Sequence, residues 1–266
     1  MSDGVKVLLI GCGKMGGAML AGWRQWEGFQ AVVVEPKAPV ETGPSVALVA
    51  SESEIDRDFA PDAVIIAVKP QEMDKVAPHY RRYVRKDTVF LSIAAGKTIA
   101  TFEDYWGDDA AIVRAMPNTP AAVGRGVTVL VANGNVAEAQ RTLCQQLLEA
   151  VGSVEWVEDE GLLDAVTAVS GGGPAYVFLL IEALADAGVA AGLPRDLSDS
   201  IARATVEGSG ELSRQASEPP ETLRKNVMSP GGTTAEAVGV LDADDGIRPL
   251  FERAIAAATK RSRELA

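Results

Sequence analysis

Gly11, Gly13 and Gly16 are spaced as G-x-G-x-x-G directly after the apolar run Val5–Ile10. In a strand–turn–helix setting the first glycine permits a tight turn. The second lets backbone approach a pyrophosphate, and the third lets the helix pack on the strand. A helix opening at Lys14 and Met15 offers amide N–H groups and the positive end of its dipole to phosphate oxygens. The position after a first strand marks a dinucleotide-binding turn. Glu35 closes the next apolar run, 19 residues beyond Gly16. An acid there accepts hydrogen bonds from the adenosine ribose hydroxyls and repels a 2′-phosphate, whereas Lys37 would attract one. The pair leaves the coenzyme open: NADH and NADPH are both expected to serve, with a slight lean to NADH.

Two more loops leave the carboxyl ends of predicted strands, where ligands bind in sheets of this kind. They are Ala67-Val68-Lys69-Pro70-Gln71 and Arg114-Ala-Met-Pro-Asn118-Thr119-Pro120. Pro117 and Pro120 restrict the backbone around Asn118 and Thr119. The candidate coenzyme contacts are Gly11, Gly13, Lys14, Met15 and Gly16 at the turn, with Glu35 and Lys37 at the ribose. Val68, Lys69, Pro70, Ala94 and Asn118 complete them.

A second constellation lies far along the chain, at Asn226-Val-Met-Ser229-Pro-Gly231-Gly232-Thr233-Thr234-Ala-Glu236. Thr233 and Glu236 fit a capping box at a helix start. Ser229, the two glycines and free N–H groups near Thr233 and Thr234 would form a small anion pocket. With no lysine or arginine between Ser229 and Glu236, it suits a carboxylate better than a phosphate chain. The glycine cluster Ser170-Gly-Gly-Gly-Pro174-Ala-Tyr176 is accounted for by a helix break followed by a proline at the first helical position.

The elements that must position these loops follow from apolar patterning. Of the runs at 5–10, 31–34, 46–49, 63–68, 88–93, 111–114, 127–131 and 154–157, most are continuous rather than alternating. Such runs predict strands buried on both faces, hence a parallel sheet with helices on each side and a doubly wound α/β domain. The connection from Val34 to Val46 carries Pro36, Pro39 and Pro44, which predicts an extended loop in place of a helix. Beyond Asp159 no convincing strand occurs. Helices are predicted at 162–169, 174–191, 197–215, 222–227, 233–241 and 247–265. The expected organisation is a Rossmann-type dinucleotide-binding domain over residues 1–160 and an all-α substrate and oligomerisation domain over residues 161–266. Several of these helices are apolar around most of their circumference, which predicts a partner subunit to cover them.

The 266 residues carry a net charge of −12, so nucleic acid and anionic membranes are not expected partners. Cys12 and Cys144 cannot build a disulfide framework, and with no visible targeting segment a cytoplasmic location is expected. The apolar stretch from Pro174 to Leu193 contains Glu182 and Asp186, costly inside a bilayer, and reads as a buried helix. His79, the single histidine, argues against a His-based metal site and a Ser-His-Asp triad, and no metal is expected.

Taken in order, Gly11–Gly16, Ala67–Gln71, Ala115–Pro120, Ser170–Tyr176 and Ser229–Thr234 resemble the motifs of the pyrroline-5-carboxylate reductase family over nearly the whole chain. Departures are Gly172, where many relatives have serine, and the proline-rich connection after Glu35, where relatives usually have a helix. The resemblance implies reduction of the cyclic imine 1-pyrroline-5-carboxylate to L-proline by NAD(P)H, the last step of proline synthesis. It implies an interleaved dimer able to assemble into rings, with substrate between the nicotinamide and the S-P-G-G-T-T loop. Ser229, Thr233 and Thr234, lined by Gly231 and Gly232, would hold the carboxylate, and the Thr234 hydroxyl would lie near the ring nitrogen. A reductase of another small imino or keto acid is the near alternative. Such enzymes usually use a lysine or histidine of the helical domain, and Leu162 to Leu223 contains neither. A non-catalytic coenzyme sensor is the distant one, and it would leave the Ser229–Thr234 loop without a purpose.

Overall fold

In the computed structural model, which describes residues 4–37 and 40–265, every apolar run of the first half becomes a strand. These are β1 (Lys6–Ile10), β2 (Gln30–Val34), β3 (Val46–Val49), β4 (Ala63–Ile66), β5 (Val89–Ser92), β6 (Ala111–Met116), β7 (Gly126–Ala132) and β8 (Gly152–Trp156). They form one sheet in the order β3-β2-β1-β4-β5-β6-β7-β8. Neighbouring strands are parallel except at β6–β7, so the expectation of a wholly parallel sheet is corrected there. The connection after β2 shows no helix among its described residues, while Pro39 lies outside them.

The pleat explains why the strands lack alternation. Val7 and Leu9 of β1 pack on one face with Met19, Leu20 and Trp23 of α1 (Lys14–Trp23). Leu8 and Ile10 pack on the other with Met73 of α2 (Met73–Val76) and Phe102 and Trp106 of α3 (Ile99–Trp106). Both faces are covered, so Val7 to Ile10 are apolar without a break. The buried indoles also satisfy their donors. Trp23 Nε1–H donates to Leu147 O (2.6 Å) of α4 (Glu138–Glu149), and Trp106 Nε1–H donates to Ala77 O (2.8 Å).

Contacts divide the chain into two compact units, Met1–Gly171 with Ala258–Ala266, and Gly172–Ala257. The remaining helices are α5 (Leu162–Val166), α6 (Gly173–Ala190), α7 (Arg195–Gln215), α8 (Pro220–Asn226), α9 (Thr233–Leu241) and α10 (Ile247–Leu265). The glycine cluster is more than a break. A π-helical turn over Thr167–Gly171 precedes it, with the Thr167 hydroxyl donating to Leu163 O (2.7 Å) and Ser170 to Val166 O (3.0 Å).

Within the second unit, α6 and α7 approach closely. Ser198 Oγ–H donates to Ala185 O (2.6 Å), and a Cβ on Gly188 would lie 2.1 Å from Ser198 Oγ. Yet this unit covers little of its apolar surface. Phe178 and Leu179 of α6 are 59% and 62% exposed, and Leu250 and Phe251 of α10 are exposed too. By length and composition the helical stretch Leu162–Ala190 could cross a membrane, although it carries Glu182 and Asp186.

Candidate functional site

Strand register brings four loops of the first unit to one edge. Ile10 pairs with both Val34 and Ile66, and Val34 pairs with Val49. The residues that follow these strand ends, Gly11, Glu35, Ala67 and Ala50, are therefore neighbours. Bonds continue one step beyond the strands: Gly11 N–H to Val34 O (2.9 Å), Ala67 N–H to Ile10 O (2.7 Å) and Glu35 N–H to Val49 O (3.1 Å). Between these loops lies a cavity of about 540 Å³, lined in part by Gly11, Gly13, Glu35, Lys37, Val68 and Lys69. Its volume lies within the range of small-molecule and cofactor sites.

The three glycines have distinct physical roles. Gly11 has φ +85°, and a Cβ there would lie 2.9 Å from Ala67 O. A Cβ on Gly16 would lie 2.5 Å from Gly11 O. Both positions are demanded by the fold. A Cβ on Gly13 would meet nothing within 4 Å among the described residues, so this glycine keeps open space beside the cavity. That space, at the N-cap of α1, is what a pyrophosphate needs. A dinucleotide therefore fits the residues present. Glu35 faces the turn: its Oε2 accepts the Cys12 N–H (2.9 Å) and its Oε1 the Lys37 N–H (3.0 Å).

Several candidates do not line this cavity. Lys14 and Met15 open α1, with Met15 packed on the core, and Gly16 is buried in that helix. Pro70 starts the turn after Lys69, and Ala94 is buried. Asn118 acts as a strut: its Nδ2–H donates to Ser170 O (3.1 Å) and its Oδ1 accepts the Val127 N–H (3.0 Å). Arg114 of β6 is ion-paired with Glu160, which also accepts the Ile99 N–H (2.7 Å). Conversely, the cavity recruits Ser51, Glu52, Lys75, His79 and Tyr80, which sequence reasoning missed. The signal for the first two was present: they follow β3, whose carboxyl end adjoins that of β2.

The two thiols differ. Burial, reinforced by the Glu35 carboxylate, raises the Cys12 pKa, and complete burial pushes Cys144 up to about 12. Cys144 is expected to resist a thiol reagent at pH 8 until the chain unfolds, with Cys12 reacting slowly and more slowly still with NADH bound. Rapid modification of two thiols in the native protein would contradict this placement.

In the second unit, Gly231 has φ +69° and Gly232 is the extended N-cap of α9. The capping box predicted from Thr233 and Glu236 is therefore absent. The Gly232 N–H turns back onto Ser229 O (2.9 Å), so the helix starts at Thr233 rather than being capped by it. No cap side chain consumes the first amides, and those of Thr233 and Thr234 find no acceptor among the described residues. Ser229, Thr233 and Thr234 are themselves exposed. The flanks are tied together by Asp242 at the end of α9, which is ion-paired with Arg248 of α10 and with Arg224 of α8 (3.1 Å). The Arg248 guanidinium, then Arg224, hold the Asp242 carboxyl below the usual carboxylate range. Its contribution to stability is present above the ordinary carboxylate pKa and is lost as pH falls through the lowered value. This tie is expected to loosen in acid, seen as a wild-type decline in Tm at low pH that the Asp242→Asn variant shows less.

The chain matches known proteins over its full length. Residues 160–265 match the family model for pyrroline-5-carboxylate reductase dimerisation, and residues 6–96 match that for NADP oxidoreductase, coenzyme F420-dependent. It is 37% identical to the pyrroline-5-carboxylate reductase of Pseudomonas aeruginosa, across 98% of this chain and 97% of that one. The solved pyrroline-5-carboxylate reductase of Coxiella burnetii superposes with a TM-score of 0.90 at 31% identity, covering 99% of each chain. The Plasmodium falciparum pyrroline carboxylate reductase, solved with NADP bound, gives a TM-score of 0.80 at 30% identity, covering 99% of this chain and 98% of that one.

Proposed function

The chain belongs to the pyrroline-5-carboxylate reductase family, and from that membership we infer that it reduces 1-pyrroline-5-carboxylate to L-proline with NADH or NADPH. The structural observation that carries the reading is the open space above Gly13 in a cavity walled by the glycine turn and Glu35. Bound NAD(P)H supplies the hydride. Gly11, Gly13 and the first amides of α1 would hold its pyrophosphate, and Glu35 would take the ribose hydroxyls. Ser229 and the amides and hydroxyls of Thr233 and Thr234 receive the substrate carboxylate. The imine nitrogen takes a proton from water, the imine carbon accepts the hydride, and the nitrogen keeps its proton as the ring amine. No residue from Ser229 to Thr234 titrates, and none needs to. What the side chains supply is position, worth up to about 7–11 kcal/mol in favourable cases.

We assign coenzyme binding to residues 1–160 and substrate binding with self-association to residues 161–266, a division supported by the family match beginning at residue 160. The helical part self-associates, and the assembly proposed is a dimer or a ring of dimers. The exposed apolar face of α6 is then covered by a second copy rather than by lipid, in keeping with a cytoplasmic enzyme. The intact chain is expected to elute as a dimer or a multiple of one. A fully active, monodisperse monomer at micromolar concentration would contradict that assembly. The function itself is tested by coenzyme oxidation that requires 1-pyrroline-5-carboxylate and yields proline one for one. Oxidation indifferent to that substrate would end the reading.

A further inference from the structure

We propose that Glu35 makes this chain selective for NADH: its carboxylate, clamped by two backbone amides, receives the adenosine ribose hydroxyls and turns away the 2′-phosphate of NADPH. The inference deepens, and rests on, the coenzyme role assigned above. Residue type alone left Glu35 and Lys37 opposed, but their geometry is unequal. The Glu35 carboxylate is fixed from both sides, with Oε2 on the Cys12 N–H of the glycine turn (2.9 Å) and Oε1 on the Lys37 N–H (3.0 Å). It therefore cannot swing out to make room for an anion without breaking both bonds. Each oxygen keeps a lone pair for a further donor. Ribose 2′- and 3′-hydroxyls are donors, whereas a 2′-phosphate brings only acceptors and charge.

Lys37 does not restore the balance. Its Nζ lies 3.7 Å from Glu72 Oε1, so part of its charge is already answered. His79, across the same cavity, faces Glu52 at 3.8 Å. With Glu72 set against Lys37 and Glu52 against His79, Glu35 is the wall carboxylate held by backbone amides, and Lys69 and Lys75 are the remaining cations on that wall. Pro36 restricts the backbone between Glu35 and Lys37.

The test is equilibrium binding of NADH and of NADPH to the full-length free enzyme at one ionic strength, read from nicotinamide fluorescence without substrate. NADH is expected to bind about ten- to a hundredfold more tightly, as a like-charge juxtaposition implies. Glu35→Gln keeps an acceptor for one amide and removes the charge. It should bring the ratio of the two Kd values to within about threefold of unity, chiefly by tightening NADPH. Displacement of NADH from the wild-type protein by ADP-ribose, compared with its 2′-phosphorylated form, gives the same ratio without any variant. Equal or tighter NADPH binding in the wild type would overturn the proposal and show that Lys75 or Lys69 outweighs Glu35. An unchanged ratio in folded Glu35→Gln would overturn the role of that residue. Binding of neither nucleotide would overturn this proposal together with the coenzyme role beneath it.

Discussion

Gly13→Val is expected to abolish coenzyme binding while leaving the fold intact. A Cβ at this position meets nothing within 4 Å among the described residues, and its φ of −68° is one that any residue adopts. The protein alone has no objection to a side chain there. The penalty on folding is the preference of the N-cap for small or polar residues, about 1 kcal/mol. The two valine methyls instead occupy the space through which a pyrophosphate would reach the amides at the start of α1. Overpacking of this kind costs typically ~1–3 kcal/mol, and the lost amide contacts add to it. The affinity for NADH should therefore fall by more than about a hundredfold, at ~1.4 kcal/mol per decade, with Tm nearly unchanged. Gly11→Ala and Gly16→Ala provide the contrast. The first forces a side chain onto φ +85° and the second drives a Cβ to 2.5 Å from Gly11 O, so both should lower Tm. If folded Gly13→Val binds NADH normally, the turn shapes a helix and nothing more, and the coenzyme assignment fails.

Strands were readable where burial on both faces leaves no choice of residue, as in Val7-Leu8-Leu9-Ile10. Strand direction is another matter, because an apolar run looks the same read either way. The clue lay in the connection. Residues 117–125 between β6 and β7 hold only a short 3₁₀ turn, Thr119–Val123, and a parallel crossover needs about a dozen residues. So β7 returns antiparallel, and α4 carries the chain over to β8 alongside it. The motif glycines were equally readable, but their neighbours were not. Asn118 drew notice because prolines fix its backbone, but that its amide bridges Ser170 O and the Val127 N–H is a tertiary fact no local pattern carries. Lys75 and His79 reach the cavity from a run of short helical turns whose facing the sequence does not encode by any regular period. The capping box misled by one residue, since Thr233-x-x-Glu236 has the right letters, but Gly231 in the left-handed region moves the cap to Gly232.

That one-residue shift bears directly on the substrate loop. Had Thr233 capped the helix, its hydroxyl would have consumed a first-turn amide, leaving fewer donors for a ligand. With Gly232 in its place, the amides of Thr233 and Thr234 and the hydroxyls of Ser229, Thr233 and Thr234 remain available at the positive end of the α9 dipole. A carboxylate docked there meets neutral donors only, each charge-assisted bond being worth roughly 1.5–3 kcal/mol. Thr234→Ala removes one such hydroxyl and no backbone donor. It should cut kcat/KM for 1-pyrroline-5-carboxylate by about ten- to a few hundredfold. The side chain is exposed and makes no hydrogen bond among the described residues, so Tm should hold, and affinity for NADH should hardly move. Thr234→Ser, which keeps the hydroxyl, should recover most of the loss. This pattern is the mirror image of Gly13→Val, where coenzyme affinity collapses. A folded Thr234→Ala enzyme with wild-type kcat/KM would reduce the loop to a glycine-capped helix start, and the carboxylate would then have to be held by other residues.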